Sequence, residues 1–294
     1  MSSHLAATAC RLAQGTQGTE TGKTMTFNRP AALAAAFLAL APGPARAETV
    51  VVCTAIADAD TGETIRLDGD CGTRAPPAST FKIPISLMAF DAGFMKDERT
   101  PALPFREGYA DWVAAWRTTT DPARWMTESV VWYSRKATEA LGEERFARYV
   151  DLFDYGNRDV SGDPGRNNGL TNAWLSSSLQ ITPVEQLAFL RKVARRELPV
   201  SAHAHEMTRR LVDIGPQPGG WHVYGKTGAA PSRNPDGSTI SGKPWGWFVG
   251  WATRGERTVV FARLTRDTTR PAVSPGRAAR AAVLRELFAA PDSF

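Results

Sequence analysis

At 294 residues the chain is within reach of a single hydrophobic core, so one domain or two interlocked subdomains is expected. A composition of 43% hydrophobic and 22% charged residues is that of an ordinary globular protein and excludes a disordered chain. The formal charge of +5 is concentrated at the start: residues 1–47 carry Arg11, Lys23, Arg29 and Arg46 against Glu20, a net of +3 that leaves +2 for the rest. Without any basic run, that remainder argues against a nucleic-acid partner.

From Met25 the chain reads as an export signal: Arg29, an apolar run over residues 31–41, Pro42 and Pro44, then the small-residue end Ala45-Arg46-Ala47, with cleavage expected after Ala47. The apolar run is too short for an anchor, which takes about 18 or more apolar residues, so the mature chain is expected to be periplasmic or secreted and not held in a membrane. Residues 1–24 show no helix or strand period, which makes Met25 an alternative start. Cys10 follows no apolar run, which argues against a lipoprotein anchor. Residues 48–294 are then a single domain holding Cys53 and Cys71, an even number in an oxidising compartment. Residues 50–57 and 63–67 are strand-like and joined by the turn segment Asp58-Ala59-Asp60-Thr61-Gly62, a hairpin that brings the cysteines to roughly facing positions. They are either disulfide-bonded or two buried thiols. A bond closing that loop would add about 3 kcal/mol.

A helix is expected from about Ser79 to Gly93, with Pro84 tolerated in its first turns. The middle of the chain, about 95–215, reads as a mostly helical subdomain. Asp121-Pro122 is a helix start, Gly142 ends an Ala/Glu-rich run, Thr182-Pro183-Val184-Glu185 has the form of a capping box, and a loop covers 154–178. Residues 221–227, 245–252 and 258–264 are β-branched and aromatic, and a last helix is expected over 277–288. Strands at both chain ends bury their apolar faces most simply in one antiparallel sheet flanked by helices, a mixed α/β fold.

The chain has no G-x-S-x-G elbow, Walker A loop or H-E-x-x-H helix. His203 and His205 lack carboxylate or Cys company at ligand spacing and read as surface residues at a helix start. Ser79-Thr80-Phe81-Lys82 is the one S-x-x-K, and its i, i+3 spacing at a helix start puts hydroxyl and amine on one face. Unpaired N–H groups there can hold a developing oxyanion. Lysine can take the serine proton only as a neutral amine, which burial beside Phe81 and Ile83 would favour. Alone the tetrapeptide is weak, since one arises by chance on the order of once in such a chain. The ordered set adds weight: Ser129-Val130-Val131, then Tyr155-Gly156-Asn157, then Lys226-Thr227-Gly228 closing a strand.

With these motifs the sequence resembles the class D β-lactamases among the penicillin-recognising serine enzymes. The resemblance rests on STFK at 79–82, SVV at 129–131, FDYGN at 153–157, Trp174-Leu175, YGKTG at 224–228 and GWFVGW at 246–251. It implies a β-lactamase/transpeptidase-like fold and hydrolysis of β-lactam antibiotics through a Ser79 acyl-enzyme, with small-molecule substrates and antibiotic resistance as the outcome. It also implies that Lys82 is N6-carboxylated by carbon dioxide or bicarbonate, with no metal or other cofactor. Phe81 and Val131 would then supply an apolar pocket for the carbamate and the Trp174 indole N–H would steady it. The backbone N–H groups of Ser79 and Ala229 would hold the oxyanion, and Ser129 would pass a proton to the lactam nitrogen. Lys226 would keep the field positive within the Lys226-Thr227-Gly228 strand, and Thr227 and Arg277 would bind the substrate carboxylate. Arg280 or Arg266 could take the place of Arg277. Trp174 could equally be a packing aromatic, Tyr155 and Asn157 could simply shape their loop, and Trp245, Trp247 and Trp251 read as packing. A β-lactam sensor or a transpeptidase shares the motifs, but the first adds membrane spans and the second lacks the Tyr-Gly-Asn signal. The loops at 106–117 and 234–243 are expected to decide which β-lactams are accepted, and oligomeric state is left open.

Overall fold

The computed structural model describes residues 48–234 and 236–290. The export signal, its cleavage point and Cys10 lie outside the described residues. Strands β1 (Thr49–Asp58), β2 (Thr64–Gly69), β3 (Asp213–Pro216), β4 (His222–Arg233), β5 (Thr239–Arg254) and β6 (Arg257–Asp267) form one sheet in the order β2-β1-β6-β5-β4-β3. Every pairing is antiparallel, and β1 beside β6 (Ile56↔Phe261) joins the two ends of the chain in one sheet, as the strand pattern predicts.

The central strands are buried on both faces, which is why β6 carries the unbroken apolar stretch Val259–Ala262. Val259 and Phe261 join Ile56, Val223 and Phe248 under one helix, α8 (Pro275–Leu287), through its Ala279, Val283 and Leu287. The alternate residues Val260, Ala262 and Leu264 face the other core. That core is covered by the chain's middle: α1 (Lys82–Asp91), α2 (Pro122–Glu128), α3 (Val131–Leu141), α4 (Glu143–Leu152), the single turn α5 (Gly169–Asn172), α6 (Pro183–Ala194) and α7 (Ala202–Leu211). Among the described residues no helix is long and apolar enough to cross a membrane.

Local signals hold where they are local. Asp58 accepts the N–H groups of Asp60 and Thr61 at 3.0 and 2.9 Å, which builds the hairpin turn and holds its carboxyl below the usual range. Asp121 caps α2 by accepting from Arg124 N at 2.8 Å, and Thr182 and Glu185 make a reciprocal capping box on α6. Cys53 and Cys71 are disulfide-bonded with Cα atoms 5.0 Å apart. The hairpin brings them together just past its last rung, for Cys53 pairs with Gly69 and Cys71 follows two residues beyond the strand.

Four features depart from the sequence reading. Ser79 lies in a 3-10 turn, Ala78–Phe81, and the α-helix begins only at Lys82. Pro84 has no N–H to bond back to the Thr80 carbonyl, so the turn before it closes with the tighter pattern. The short edge strand β3 has too few residues to show alternation. β4 and β5 extend further than expected into a long hairpin. His205 is not a surface residue: it is buried, with Nε2 bonded to the Leu198 carbonyl at 3.1 Å, while His203 stays exposed.

Candidate active site

The site begins at the 3-10 turn. Ala78 has a left-handed φ of 51°, costly for a residue with a side chain, and its N–H donates to the Trp174 carbonyl at 3.0 Å. Trp247 donates its indole N–H to the Pro76 carbonyl at 3.0 Å, so this packing tryptophan also tethers the segment leading into Ser79. Ser79 itself is half-buried and open to a ligand, whereas Lys82 is wholly buried. Their Oγ and Nζ lie 3.3 Å apart, the proximity expected from the i, i+3 spacing. Burial, reinforced by the charge on Lys226, holds the Lys82 amine well below its ordinary range.

An aromatic cage adjoins this lysine. Phe81 stacks on Trp174 with centroids 5.6 Å apart and meets Tyr155 edge-on at 5.1 Å, and Phe146 and Phe189 close the cluster. Val131 is buried in the same core at the start of α3, which packs on α1. The Trp174 Nε1–H is buried and has no hydrogen-bond partner among the described residues. A buried unpaired donor costs about 1–3 kcal/mol, so this ring, stacked on the neighbour of Lys82, has a hydrogen bond to give to an anionic acceptor.

Ser129 is placed by the break between α2 and α3. It caps α2 with a left-handed φ of 60°, and its half-buried hydroxyl has no hydrogen-bond partner among the described residues. The third wall is β4. Gly225 donates its N–H to Val212 at 2.8 Å, toward the edge that carries β3. Since N–H directions alternate along a strand, Thr227 and Ala229 point theirs to the same edge. Beyond Tyr224 no β3 residue pairs there, which leaves the Ala229 N–H available. A side chain at Gly228 would stand 3.0 Å from both the Pro77 carbonyl and Thr80 Cγ2, so glycine lets the strand lie directly on the serine turn. Lys226 is buried and donates to the Thr227 carbonyl at 3.0 Å and to Thr227 Oγ1 at 3.2 Å. Burial first, then Arg280 and Arg277, bring its amine down to about 7.

Helix α8 comes equally close, for a Cβ on Gly276 would meet the Gly228 carbonyl at 2.4 Å. Arg277 and Arg280 follow on one helix face, both near enough to lower Lys226, with Arg280 acting more strongly. Arg277 and its expected alternative Arg280 therefore both act on the K-T-G strand at Lys226. Arg266 instead lies over the Trp245 ring at 4.8 Å. Asn157 is exposed and ties its own loop, donating to the Ser178 carbonyl at 2.8 Å and accepting from Gln180 N at 2.9 Å. Its partner Tyr155 is fully buried, a wall residue of the cage, and burial pushes its phenol up.

Residues the sequence reading passed over include Gln186, a buried amide on the apolar face of α6, and Thr80, to which it donates at 3.2 Å. A polar residue at a core position of an amphipathic helix was the available signal for Gln186. Beside the site a cleft of about 1020 Å³, lined by Pro76, Ser176, Ser178, Arg233 and Trp245 among others, opens between the 159–180 loop and the β4–β5 hairpin. Neither Ser79 nor Lys82 lines this cleft.

Known proteins resemble this chain over most of its length. Residues 52–289 match the penicillin-binding-protein transpeptidase domain. β-Lactamase OXA-9 of Klebsiella pneumoniae is 42% identical over 237 residues, covering 80% of this chain and 86% of its own. The crystal structure of the class D β-lactamase OXA-427 superposes with a TM-score of 0.76 at 46% identity, covering 80% of this chain and 96% of that one. The fold extends to the C-terminal domain of the Bacillus licheniformis BlaR penicillin receptor, with a TM-score of 0.68 at 22% identity, over 83% of this chain and 92% of that domain. With the serine turn, the buried lysine and the K-T-G strand assembled on one transpeptidase-like sheet, the chain belongs to the class D β-lactamases, a family of serine hydrolases.

Proposed function

We propose that this enzyme, exported to the periplasm or beyond, hydrolyses β-lactam antibiotics through an acyl-enzyme on Ser79, with N6-carboxylated Lys82 as general base, and so confers resistance. The observation that carries this reading is the 3.3 Å approach of Lys82 Nζ to Ser79 Oγ, with burial holding the amine well below its ordinary range. A neutral amine is what carboxylation by carbon dioxide requires, and the unpaired Trp174 indole N–H supports the presence of an acceptor. The carbamate supplies a base near neutral pH for both acylation and deacylation.

Ser79 Oγ attacks the lactam carbonyl, forming the ester bond as its proton leaves toward residue 82. The N–H groups of Ser79 and Ala229 hold the oxyanion, and the C–N bond of the ring then breaks. Ser129 delivers a proton to the departing nitrogen, and Lys226 keeps the local field positive while Thr227 and the Arg277–Arg280 face receive the substrate carboxylate. Water then cleaves the ester and restores Ser79.

The test is benzylpenicillin turnover with covalent labelling. Ser79→Ala is expected to abolish labelling and Lys82→Ala to abolish turnover, with bicarbonate raising activity at low carbon dioxide. Stoichiometric labelling of the parent chain without turnover would instead indicate a receptor that stays acylated, and normal hydrolysis by Lys82→Ala would remove the lysine from the mechanism.

A further inference from the structure

On α6, Gln186, Phe189, Leu190 and Val193 recur at helical spacing and are all buried. Three are apolar and the first is an amide, 1% exposed. A buried amide is tolerated only when bonded, and Gln186 Nε2 donates to Thr80 Oγ1 and to the Tyr155 hydroxyl, each at 3.2 Å. Thr80 in turn spends its own hydroxyl hydrogen on the Pro77 carbonyl at 2.7 Å, which also receives the Thr80 N–H at 3.1 Å. Those two bonds close the turn that carries Ser79. On its other side the Thr80 methyl stands 3.0 Å from where a Gly228 side chain would be. Thr80 is thus wedged between the K-T-G strand and the Gln186 amide. With its hydrogen committed to Pro77, its oxygen can only accept, and Gln186 supplies a donor.

We infer that Gln186 is a positioning residue for acylation: its amide, anchored on Tyr155, presses Thr80 and the Ala78–Phe81 turn onto β4, so that Ser79 Oγ and the Ser79 N–H stay in register with the Ala229 N–H. The inference rests on the reading of Ser79 as the acylated residue. Gln186 touches no substrate atom in this scheme and acts through Thr80. Tyr155 gains a defined part as the second acceptor that fixes the amide plane. This accounts for a phenol hydroxyl kept in the midst of Phe81 and Phe189.

The experiment compares benzylpenicillin acylation in the full-length enzyme, in Gln186→Met (equal length, no donor), in Thr80→Val and in the double variant, by stopped flow with mass-spectrometric detection. Misplacement of a reacting group costs up to about 100-fold per Å, so loss of this support is expected to slow acylation roughly tenfold. The non-covalent dissociation constant should stay within about twofold, and the double variant should be no slower than the slower single one, because both substitutions break the same link. An acylation rate within about twofold of the parent in Gln186→Met, or effects that multiply in the double variant, overturns the inference. Should Gln186→Met fail to fold, Thr80→Val decides alone, and normal acylation in it is equally fatal. Labelling that survives Ser79→Ala overturns both this role and the underlying assignment. Labelling lost with Ser79→Ala but unslowed in Gln186→Met overturns only the role of Gln186.

Discussion

Replacing Trp174 with phenylalanine isolates one hydrogen. The ring that stacks on Phe81 at 5.6 Å is largely kept, and the buried, unpartnered Nε1–H is removed. In the free-amine form of Lys82 that N–H is a liability of about 1–3 kcal/mol, so its removal offsets part of the packing lost with the smaller ring. In the carboxylated form the same N–H meets an anionic oxygen, a bond that contributes about 1.5–3 kcal/mol. The substitution therefore disfavours carboxylation by about 1.5–3 kcal/mol, roughly a 10- to 100-fold weaker response to bicarbonate. The assay is penicillin turnover as a function of added bicarbonate, run beside a carbon NMR measurement with labelled bicarbonate. Because carboxylation consumes the neutral amine, acid should abolish activity at a higher pH in Trp174→Phe than in the parent. A bicarbonate half-saturation within about twofold of the parent, with the carbamate signal present in both, would refute the idea that this N–H faces the modified lysine.

Two further outcomes follow from the fold and the charge pattern. The disulfide spans 18 residues, so the double substitution Cys53→Ala/Cys71→Ala should cost about 3 kcal/mol. Calorimetry should then show Tm lower by roughly 6–12 °C, and a drop under about 2 °C would contradict that value. Lys226 titrates at about 7 in the folded chain against its ordinary 10.5, so between those values the unfolded chain binds the extra proton and this group makes stability rise with pH. Removing a neighbouring positive charge should move the Lys226 transition upward, by more for Arg280→Ala than for Arg277→Ala. The pH profile of kcat/KM reads this in the free enzyme, and an unmoved midpoint in Arg280→Ala would show that the two arginines do not act on Lys226.

The parts of the molecule legible in the chain are those governed by neighbours in sequence. Asp58 folding over Thr61, Asp121 ahead of Pro122, and Thr182 with Glu185 each satisfy orphan backbone groups within one turn, so residue type and spacing suffice. The pairing of Ser79 with Lys82 is of the same kind. The exchange of an α-helical start for a 3-10 turn at Ser79 was less visible, because it depends on Pro84 and on a left-handed Ala78 held by Trp174, far along the chain. β3 is too short for a period of two to emerge, and its start opposite Tyr224 is what leaves the Ala229 edge free of β3.

Spacing alone therefore brings Ser79 and Lys82 together, since both stand on one turn of backbone. What that lysine can do is a matter of packing. Complete burial and the charge on Lys226 hold its amine well below the ordinary range, with the Phe81–Trp174–Tyr155 cage beside it, and Tyr155, Trp174 and Lys226 come from three distant stretches of chain. The two-arginine face of α8 and the Gln186 support arise in the same way, because proximity across a core is set by how the helices close on the sheet.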